Sequence, residues 1–295
     1  MAETFDSTSA SNRVPTVSVC IPAYNSQRFI GAAIESVLAQ TLQDFEIVVS
    51  DDASSDRTLE VVGGFRDPRI RVIGGQDRMG IGGNWNRAVR ECRGRYIKLL
   101  CHDDLLYPGC LKAQAAVLDD PANEDVALVC ARRDIVDESG GVVMRSRGPG
   151  WAPGKLAGVE AVRRVVRCGT NPLGEPAAVL FRAEAFARSS GFDSRSPYMI
   201  DLDMWCKLLG AGSLYVIPDT LCAFRISPAA LSTNLAGSQA AEARRFFALL
   251  AGAPGSSIQR TDLLLGQTKA TLLAPVRRLL YQFFFRQARR ANRAA

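Results

Sequence analysis

The chain has 295 residues, a length that supports one large domain or two smaller ones with an ample core. Hydrophobic residues make up 47% and charged residues 22%, which is ordinary for a soluble globular protein. No uninterrupted apolar run reaches about 18 residues, so we expect no transmembrane helix. The net charge is +6, and the eight cysteines contain no CxxC pair, which disfavours a zinc site and indicates free thiols in a reducing cytosol.

Strand and helix patterns alternate through the first half of the chain. Clusters of β-branched and other apolar residues predict strands at 17–21, 45–49, 70–73, 96–100 and 126–130. Helical periodicity predicts helices at 28–40 and 84–92, one from Ser54 or Ser55 through Val62, and one from Pro108 through Leu118. This succession favours an α/β fold with a mostly parallel sheet that has helices on both faces.

The second half is less regular. Glycines and prolines between residues 134 and 157 predict a hairpin and a mobile flap near Gly148–Gly154. Helices are predicted at 158–168 and 198–209, and strands at 177–181 and 214–217. We therefore divide the chain into a disordered lead (1–15), a large α/β domain (16–230) and a basic helical extension (231–295).

The C-terminal extension combines apolar and basic residues. The segment LLAPVRRLLYQFFFRQARR, residues 272–290, is typical of a basic amphipathic helix that lies on an anionic bilayer. The alternative is a helix packed on the domain or on a second subunit, with its arginines in water. Residues 262–295 are thus a candidate for peripheral membrane contact or for a homodimer interface, and we expect no nucleic-acid partner.

Four polar or glycine-rich segments fall at the predicted carboxyl ends of strands, where open α/β sheets bind their ligands. They are PAYN (22–25), SDDASSD (50–56), MGIGGNWN (79–86) and HDD (102–104). A tyrosine offers a face for a base, and a carboxylate can accept a hydrogen bond from the ring N–H of uracil or thymine. Glycines at a helix start admit phosphate, and paired carboxylates can hold Mg²⁺ or Mn²⁺. Each feature alone is also compatible with ordinary packing, turns and helix caps.

These motifs, in this order, resemble family 2 glycosyltransferases. The matching segments are VSVCIPAYN, FEIVVSDDASSDRT and GRYIKLLCHDDLLYP, and the resemblance extends from Val17 to Arg225. It implies a GT-A (Rossmann-like) fold. In such a fold, residues 16–130 would bind a nucleoside-diphosphate sugar with a divalent metal, and residues 131–230 would bind the acceptor.

The resemblance assigns roles to particular residues. It implies nucleotide-binding roles for Pro22, Ala23, Tyr24, Asn25, Asp51, Asp52, Gly80, Asn86, His102 and Asp103. It places the metal, Mg²⁺ or Mn²⁺, at Asp103 with Asp104. Cys101 stands at the first acidic position of the family's DxD signature, and Ser227 stands where many relatives have a histidine. A thiol is a poor ligand for magnesium.

The acceptor side is implied by MIDLDMWCKLL, residues 199–209, which resembles the family's helix with an acidic pair and a tryptophan. Asp201 aligns with the general base, and Asp203 and Trp205 with acceptor-binding positions. Glu175 is an alternative carboxylate, interpreted as an acceptor contact.

The combined interpretation is an inverting glycosyltransferase of cell-envelope polysaccharide biosynthesis. It would move a hexose-type sugar from a UDP- or dTDP-sugar to a hydroxyl of a glycan or lipid-linked saccharide. It would act in the cytoplasm, and attachment to the inner face of the plasma membrane is left open. Two alternatives stay open: a sugar nucleotidyltransferase, and a catalytically impaired binding scaffold of the same fold, which the departures at Cys101 and Ser227 would favour.

Overall fold

The computed structural model describes residues 13–227 and 239–294. In the last helix, side chains are described as far as Val276 and at Leu279. Most of the predicted lead (1–15) and the last residues of the predicted domain (228–230) therefore lie outside the described residues.

The described part of the chain is built from a central sheet and flanking helices. The strands are β1 Val17–Ala23, β2 Phe45–Asp51, β3 Ile70–Gly74, β4 Tyr96–Leu99, β5 Leu105–Leu106, β6 Val126–Val136, β7 Val142–Arg147, β8 Gly154–Leu156, β9 Val179–Arg182 and β10 Ser213–Arg225. The helices are α1 Ile30–Leu38, α2 Thr58–Gly63, α3 Gly80–Arg90, α4 Cys110–Asp119, α5 Gly158–Cys168, α6 Ala183–Ala187, α7 Ile200–Leu209, α8 Gln239–Gly252 and α9 Arg260–Ala294. No helix among the described residues is both long and apolar enough to span a bilayer.

Most strands of the sheet run in one direction, as predicted, and antiparallel strands make it a mixed sheet. Its strand order is β3-β2-β1-β4-β9-β6-β10-β5, and β7 and β8 pair with β6 and β10. The first four strands are parallel, as are β6 and β10, but β9 is antiparallel to both β4 and β6. β6 and β7 form the predicted hairpin, and the short link between them imposes antiparallel pairing.

This topology puts many strand ends on one edge of the sheet. Because β9 is antiparallel to both neighbours, β6 runs in the same direction as β4, and so does β10. The carboxyl ends of β1, β2, β4, β6 and β10 therefore share an edge. The start of β9 lies there too, since that strand runs the opposite way.

Helices cover both faces of the sheet, as the alternating pattern predicts. One buried layer joins α1, α2 and α4 to the sheet through residues such as Ile34, Val62 and Leu111. The other joins α3, α5, α6, α7 and α8 through residues such as Trp85 and Trp205. Burial of both faces explains why the central strands are continuous apolar runs.

The start of α3 differs from the sequence prediction. The helix begins at Gly80 rather than at Asn84. The carboxylate of Asp52 accepts hydrogen bonds from the backbone N–H groups of Met79 (2.7 Å) and Gly80 (2.9 Å). Asp52 therefore caps a helix that lies far along the chain, and local sequence carries no signal of that contact.

Close approach of α5 to the loop after α7 requires a glycine at position 158. A Cβ atom there would clash with the backbone carbonyl oxygens of Leu209 and Gly212. We expect Gly158→Ala to lower the free energy of unfolding by about 2–3 kcal/mol, measured by urea denaturation. Gly63→Ala is the matched control, because a Cβ at that helical position meets nothing within 4 Å and should stabilise by about 0.5–1 kcal/mol. Equal effects of the two substitutions would contradict this packing.

Candidate active site

A cleft of about 1350 Å³ runs along the shared edge of the sheet. Several residues that the sequence singles out line it: Pro22, Ala23, Tyr24, Asn25, Asp52, His102, Asp103, Glu175 and Asp201. Gly148 and Pro149 of the predicted flap line it as well. The loops after β1, β2 and β4 thus converge with the first turn of α7 on a single cavity.

Tyr24 and Asp52 form one end of this cleft together with Arg78. The Arg78 guanidinium lies over the Tyr24 ring, 3.7 Å from its centroid. Its Nε is 3.9 Å from an oxygen of Asp52. Asp52 is buried, whereas the Arg78 side chain is 59% exposed. A cation–π contact at an exposed site is worth about 0.5–1 kcal/mol, so a planar ligand could displace or sandwich this arginine.

Two predicted nucleotide-binding residues support this end from outside the cleft lining. Asp51 accepts hydrogen bonds from the backbone N–H (3.0 Å) and hydroxyl (2.5 Å) of Ser54. Gly80 donates its N–H to Asp52 and has a φ of 73°, a left-handed conformation that favours glycine. Both residues therefore shape the loops that carry Asp52.

Three further predicted site residues are absent from the cleft lining. Asn86 pairs with the backbone of Phe192, donating to its O and accepting from its N (both 2.9 Å). Trp205 is fully buried, and its Nε1 donates to the carbonyl of Gly174 (3.2 Å). Asp203 pairs with Lys207 at 2.6 Å. These contacts account for the positions of the three side chains.

Cys101, Asp103 and Asp104 form a cluster at the end of β4. Their ligand atoms lie within 4.8 Å of one another. Asp103 lines the cleft, whereas Asp104 is fully buried. Arg225 holds this turn from β10, donating its N–H to Asp104 Oδ1 (2.9 Å) and its Nε to the Asp103 carbonyl (2.8 Å).

The chemistry of this cluster fits a divalent cation. Asp104 Oδ2 is buried with no hydrogen-bond partner among the described residues, which is costly for a carboxylate oxygen. Burial raises the pKa of Asp104 well above its usual range, and the negative charge of Asp103 adds to this. A cation between the two carboxylates would relieve both effects, and two oxygen donors suit Mg²⁺ or Mn²⁺. Burial also raises the pKa of the Cys101 thiol, which makes it a weak third donor.

Asp201 lies in the first turn of α7 and faces the cleft. Its Oδ2 accepts a hydrogen bond from Asn171 Nδ2 (2.9 Å), and its Oδ1 accepts one from the Leu202 N–H (2.7 Å). Enclosure of the carboxyl group raises the pKa of Asp201 to about 7, and the negative charge of Glu175 contributes in the same direction. A carboxylate with a pKa near neutrality is suited to take a proton from a hydroxyl group.

Glu175 lines the same wall of the cleft but is already paired. Arg133, at the end of β6, contacts both of its carboxylate oxygens, one of them at 3.2 Å. Arg133 is buried, so this ion pair holds the Glu175 carboxylate in place. The Glu175 carboxylate thus has a fixed position on the wall of the cleft.

A buried lysine ties the metal cluster to the turn that carries Glu175. Lys98, on β4, donates its Nζ to Gln114 Oε1 (2.5 Å) and to the Ala177 carbonyl (3.0 Å). Burial lowers the pKa of Lys98. Because Lys98 lies three residues before Cys101, its bond to Ala177 ties the end of β4 to the segment just before β9.

Several of these residues escaped the sequence analysis. Arg78 directly precedes the glycine-rich segment, and a basic residue there could have been taken as a ligand contact. Arg133 follows a predicted strand, which is a weaker signal. Asn171 lies in an irregular loop, and no local pattern separates it from ordinary turn residues.

A mixed sheet with its cleft along these carboxyl ends is the fold of GT-A glycosyltransferases, and solved structures agree. S. aureus TarS 1-349 in complex with UDP-GlcNAc superposes with a TM-score of 0.65 at 19% identity. The superposed region covers 84% of this chain and 69% of the TarS chain. Mannosyltransferase PcManGT from Pyrobaculum calidifontis, in complex with GDP-Man and Mn²⁺, matches 95% of this chain and 76% of its own. Its TM-score is 0.63 at 18% identity.

The chain belongs to glycosyl transferase family 2, whose family model matches residues 18–188. The protein is therefore a glycosyltransferase, as its motifs predict. It is 34% identical over 205 residues to chondroitin synthase from Escherichia coli. The aligned region covers 68% of this chain but only 27% of the synthase. It is 30% identical over 230 residues to the Mycobacterium tuberculosis protein MT1568, covering 75% of this chain and 70% of that protein.

Proposed function

We propose that this enzyme is an inverting glycosyltransferase. It moves a hexose-type sugar from a UDP- or dTDP-linked donor to a hydroxyl group of a glycan or lipid-linked saccharide. The observation that carries the proposal is that Asp52, Asp103 and Asp201 line one cleft. In this proposal Asp52 recognises the base, Asp103 lies on the diphosphate side and Asp201 accepts the proton, so that one bound donor would be within reach of all three.

The base of the donor is assigned to the end of the cleft formed by Tyr24 and Asp52. Each oxygen of Asp52 already accepts one backbone N–H, which leaves further lone pairs for the ring N–H of a uracil or thymine. The Tyr24 ring provides the stacking face, and Arg78 lies over it in this structure. TarS, of similar fold, has been solved with UDP-GlcNAc.

The diphosphate is assigned to the cluster at the end of β4. Asp103 and Asp104 would hold Mg²⁺ or Mn²⁺, which when bound offsets the charge that develops on the departing diphosphate. PcManGT, also of similar fold, has been solved with GDP-Man and Mn²⁺. Arg225 keeps the Asp103–Asp104 turn in place.

The transfer step is assigned to Asp201. As the acceptor hydroxyl oxygen attacks the anomeric carbon, its proton passes to the Asp201 carboxylate. The bond from the anomeric carbon to the diphosphate oxygen breaks, and the nucleoside diphosphate leaves with the electron pair. Asn171 fixes the orientation of the Asp201 carboxyl group. Attack from the face opposite the leaving group inverts the anomeric configuration.

A ligand screen tests donor use directly. We expect UDP or dTDP with Mn²⁺ to raise the melting temperature by about 5 °C in differential scanning fluorimetry, because ligand binding stabilises only the folded state. Mn²⁺ alone and GDP with Mn²⁺ are the controls. A panel of nucleotide sugars is then assayed for slow hydrolysis, in which water replaces the acceptor.

Each outcome of the screen distinguishes a hypothesis. Binding with hydrolysis supports the enzyme proposed here. Binding without hydrolysis of any donor favours the impaired scaffold that the Cys101 and Ser227 departures suggest. Absence of a shift with every nucleoside diphosphate would contradict the assignment of the base to Tyr24 and Asp52.

A further inference from the structure

Helix α9 packs against α5 of the catalytic domain along one ridge. Asp262, Gly266 and Ala270, spaced by four residues, are buried. Asp262 accepts a hydrogen bond from Arg163 Nε of α5 (3.0 Å). A Cβ at Gly266 would clash with the carbonyl of Val166, so the two helices pack closely. The orientation of α9 relative to the cleft is therefore fixed by this end of the helix.

A different face of α9 carries an exposed apolar row, formed by Leu265, Leu272, Val276 and Leu279. Their exposed fractions are 38%, 65%, 51% and 66%. Spacings of seven, four and three residues put them on one side of a helix, about a third of a turn from the buried ridge. Nothing in the described part of the chain covers this row. Large exposed apolar surfaces of this kind mark interaction sites.

The charge of the same helix indicates what covers the row. Between residues 263 and 295 there are seven basic residues, namely Lys269, Arg277, Arg278, Arg286, Arg289, Arg290 and Arg293, and no acidic residue. Two copies of such a helix would repel each other, whereas an anionic surface attracts it. A long helix that combines an exposed apolar row with many basic residues has the composition of helices that lie in a bilayer interface.

The apolar row is continuous with the wall of the cleft. Lys269, Leu273 and Val276 line the cavity that contains Asp201 and Asp103, and Val276 also belongs to the row. A surface that covers the row therefore lies next to one opening of the cleft. An acceptor anchored in that surface would reach the cleft without leaving it.

We propose that α9 docks this enzyme on an anionic phospholipid bilayer and thereby presents the cleft to acceptors carried by a lipid. The leucines of the row insert at the acyl boundary, and the positive charge of the helix attracts it to the anionic lipid. The docking surface stands on α9 alone. The delivery of a lipid-linked acceptor rests on the proposed glycosyl transfer.

Vesicle flotation with the full-length chain tests the docking surface. The protein should float with vesicles of phosphatidylglycerol and phosphatidylcholine in equal parts, and stay in the dense fraction with phosphatidylcholine alone. Leu272→Glu with Leu279→Glu should weaken binding about tenfold or more per leucine. The matched control is Leu59→Glu with Leu249→Glu, two leucines exposed by 48% and 66% on α2 and α8, which should float like the parent. Raising the salt concentration should weaken binding, since anionic lipid attracts each arginine electrostatically.

Fluorescence gives a second readout that does not depend on affinity. With Leu272→Trp, emission should be quenched by vesicles containing brominated phosphatidylglycerol, and with Leu249→Trp it should be unchanged. Circular dichroism confirms that each variant is folded. Equal flotation of the row variant and the control variant would overturn the proposal. So would a dimer in light scattering that only the row variant dissociates, because the row would then be a subunit interface.

The outcomes separate this inference from the proposed function. Hydrolysis of a nucleotide sugar by the lipid-free protein reports on the cleft alone, and the row variant should retain it. Flotation without any hydrolysis would leave the docking surface standing and refute glycosyl transfer. Hydrolysis without flotation would support the proposed glycosyl transfer and refute the docking surface.

Discussion

Replacing Asp201 with Asn is expected to lower turnover by about 10²–10⁴-fold while the affinity for the nucleoside diphosphate stays close to that of the parent. The amide cannot take up the acceptor proton, yet it keeps the shape and the hydrogen bond to Asn171. The measurements are the steady-state rate of sugar transfer and the UDP affinity from calorimetry. Asp125→Asn is the matched control, because this exposed carboxylate pairs with Lys155 away from the cleft.

The pH profile supplies an independent check on Asp201. Its pKa is raised to about 7, so the carboxylate form that accepts a proton is lost as the pH falls below this value. The rate should therefore rise with pH through about 7 in the parent enzyme. The residual rate of the Asn variant should lack this step. Unchanged turnover in the variant, or the same step in its profile, would place the base elsewhere.

Replacing Asp103 with Asn is expected to abolish metal-dependent activity, with turnover reduced about 10³-fold or more. Asp103 is the carboxylate of the cluster that lines the cleft, and its partner Asp104 is buried behind it. Removing its charge should weaken Mn²⁺ binding and, with it, UDP binding in the presence of Mn²⁺. Electron paramagnetic resonance of Mn²⁺ and calorimetry with UDP measure the two effects.

The melting temperature of the Asp103 variant serves as the control for its folding. Because Asp103 is held through its backbone carbonyl, which accepts from Arg225, the Asn side chain should leave the melting temperature nearly unchanged. Asp125→Asn again shows the effect of losing a carboxylate at an unrelated place. Full activity and normal Mn²⁺ binding in the Asp103 variant would refute the assignment of the metal to this cluster.

The amino-acid sequence predicts much of the architecture. Alternating apolar runs and helical patterns predict the strands and helices of the first half to within a few residues, because central strands buried on both faces must be apolar throughout. The placement of PAYN, SDDASSD and HDD after such runs predicts that they meet at one edge. The order of the motifs predicts the family, which the match over residues 18–188 confirms.

The features that the sequence analysis did not predict have a common cause. The mixed pairing of β9, the early start of α3 at Gly80 and the interior contacts of Asn86 all depend on residues far away in sequence. Local propensity and periodicity carry no information on such partners. For the same reason, the motif identifies Trp205 in the sequence but does not predict that its Nε1 donates to the carbonyl of Gly174.

Periodicity and motif order were sufficient for the layered α/β fold, the family and the strand ends where the cleft lies, since each depends on residues that are close in the chain. Long-range packing alone set Asn171 against Asp201, Arg133 against Glu175 and Arg78 over Tyr24. It also placed the row on α9 beside the cleft. These contacts join segments separated by tens of residues, and the free energy that holds them comes from the assembled core rather than from any one segment.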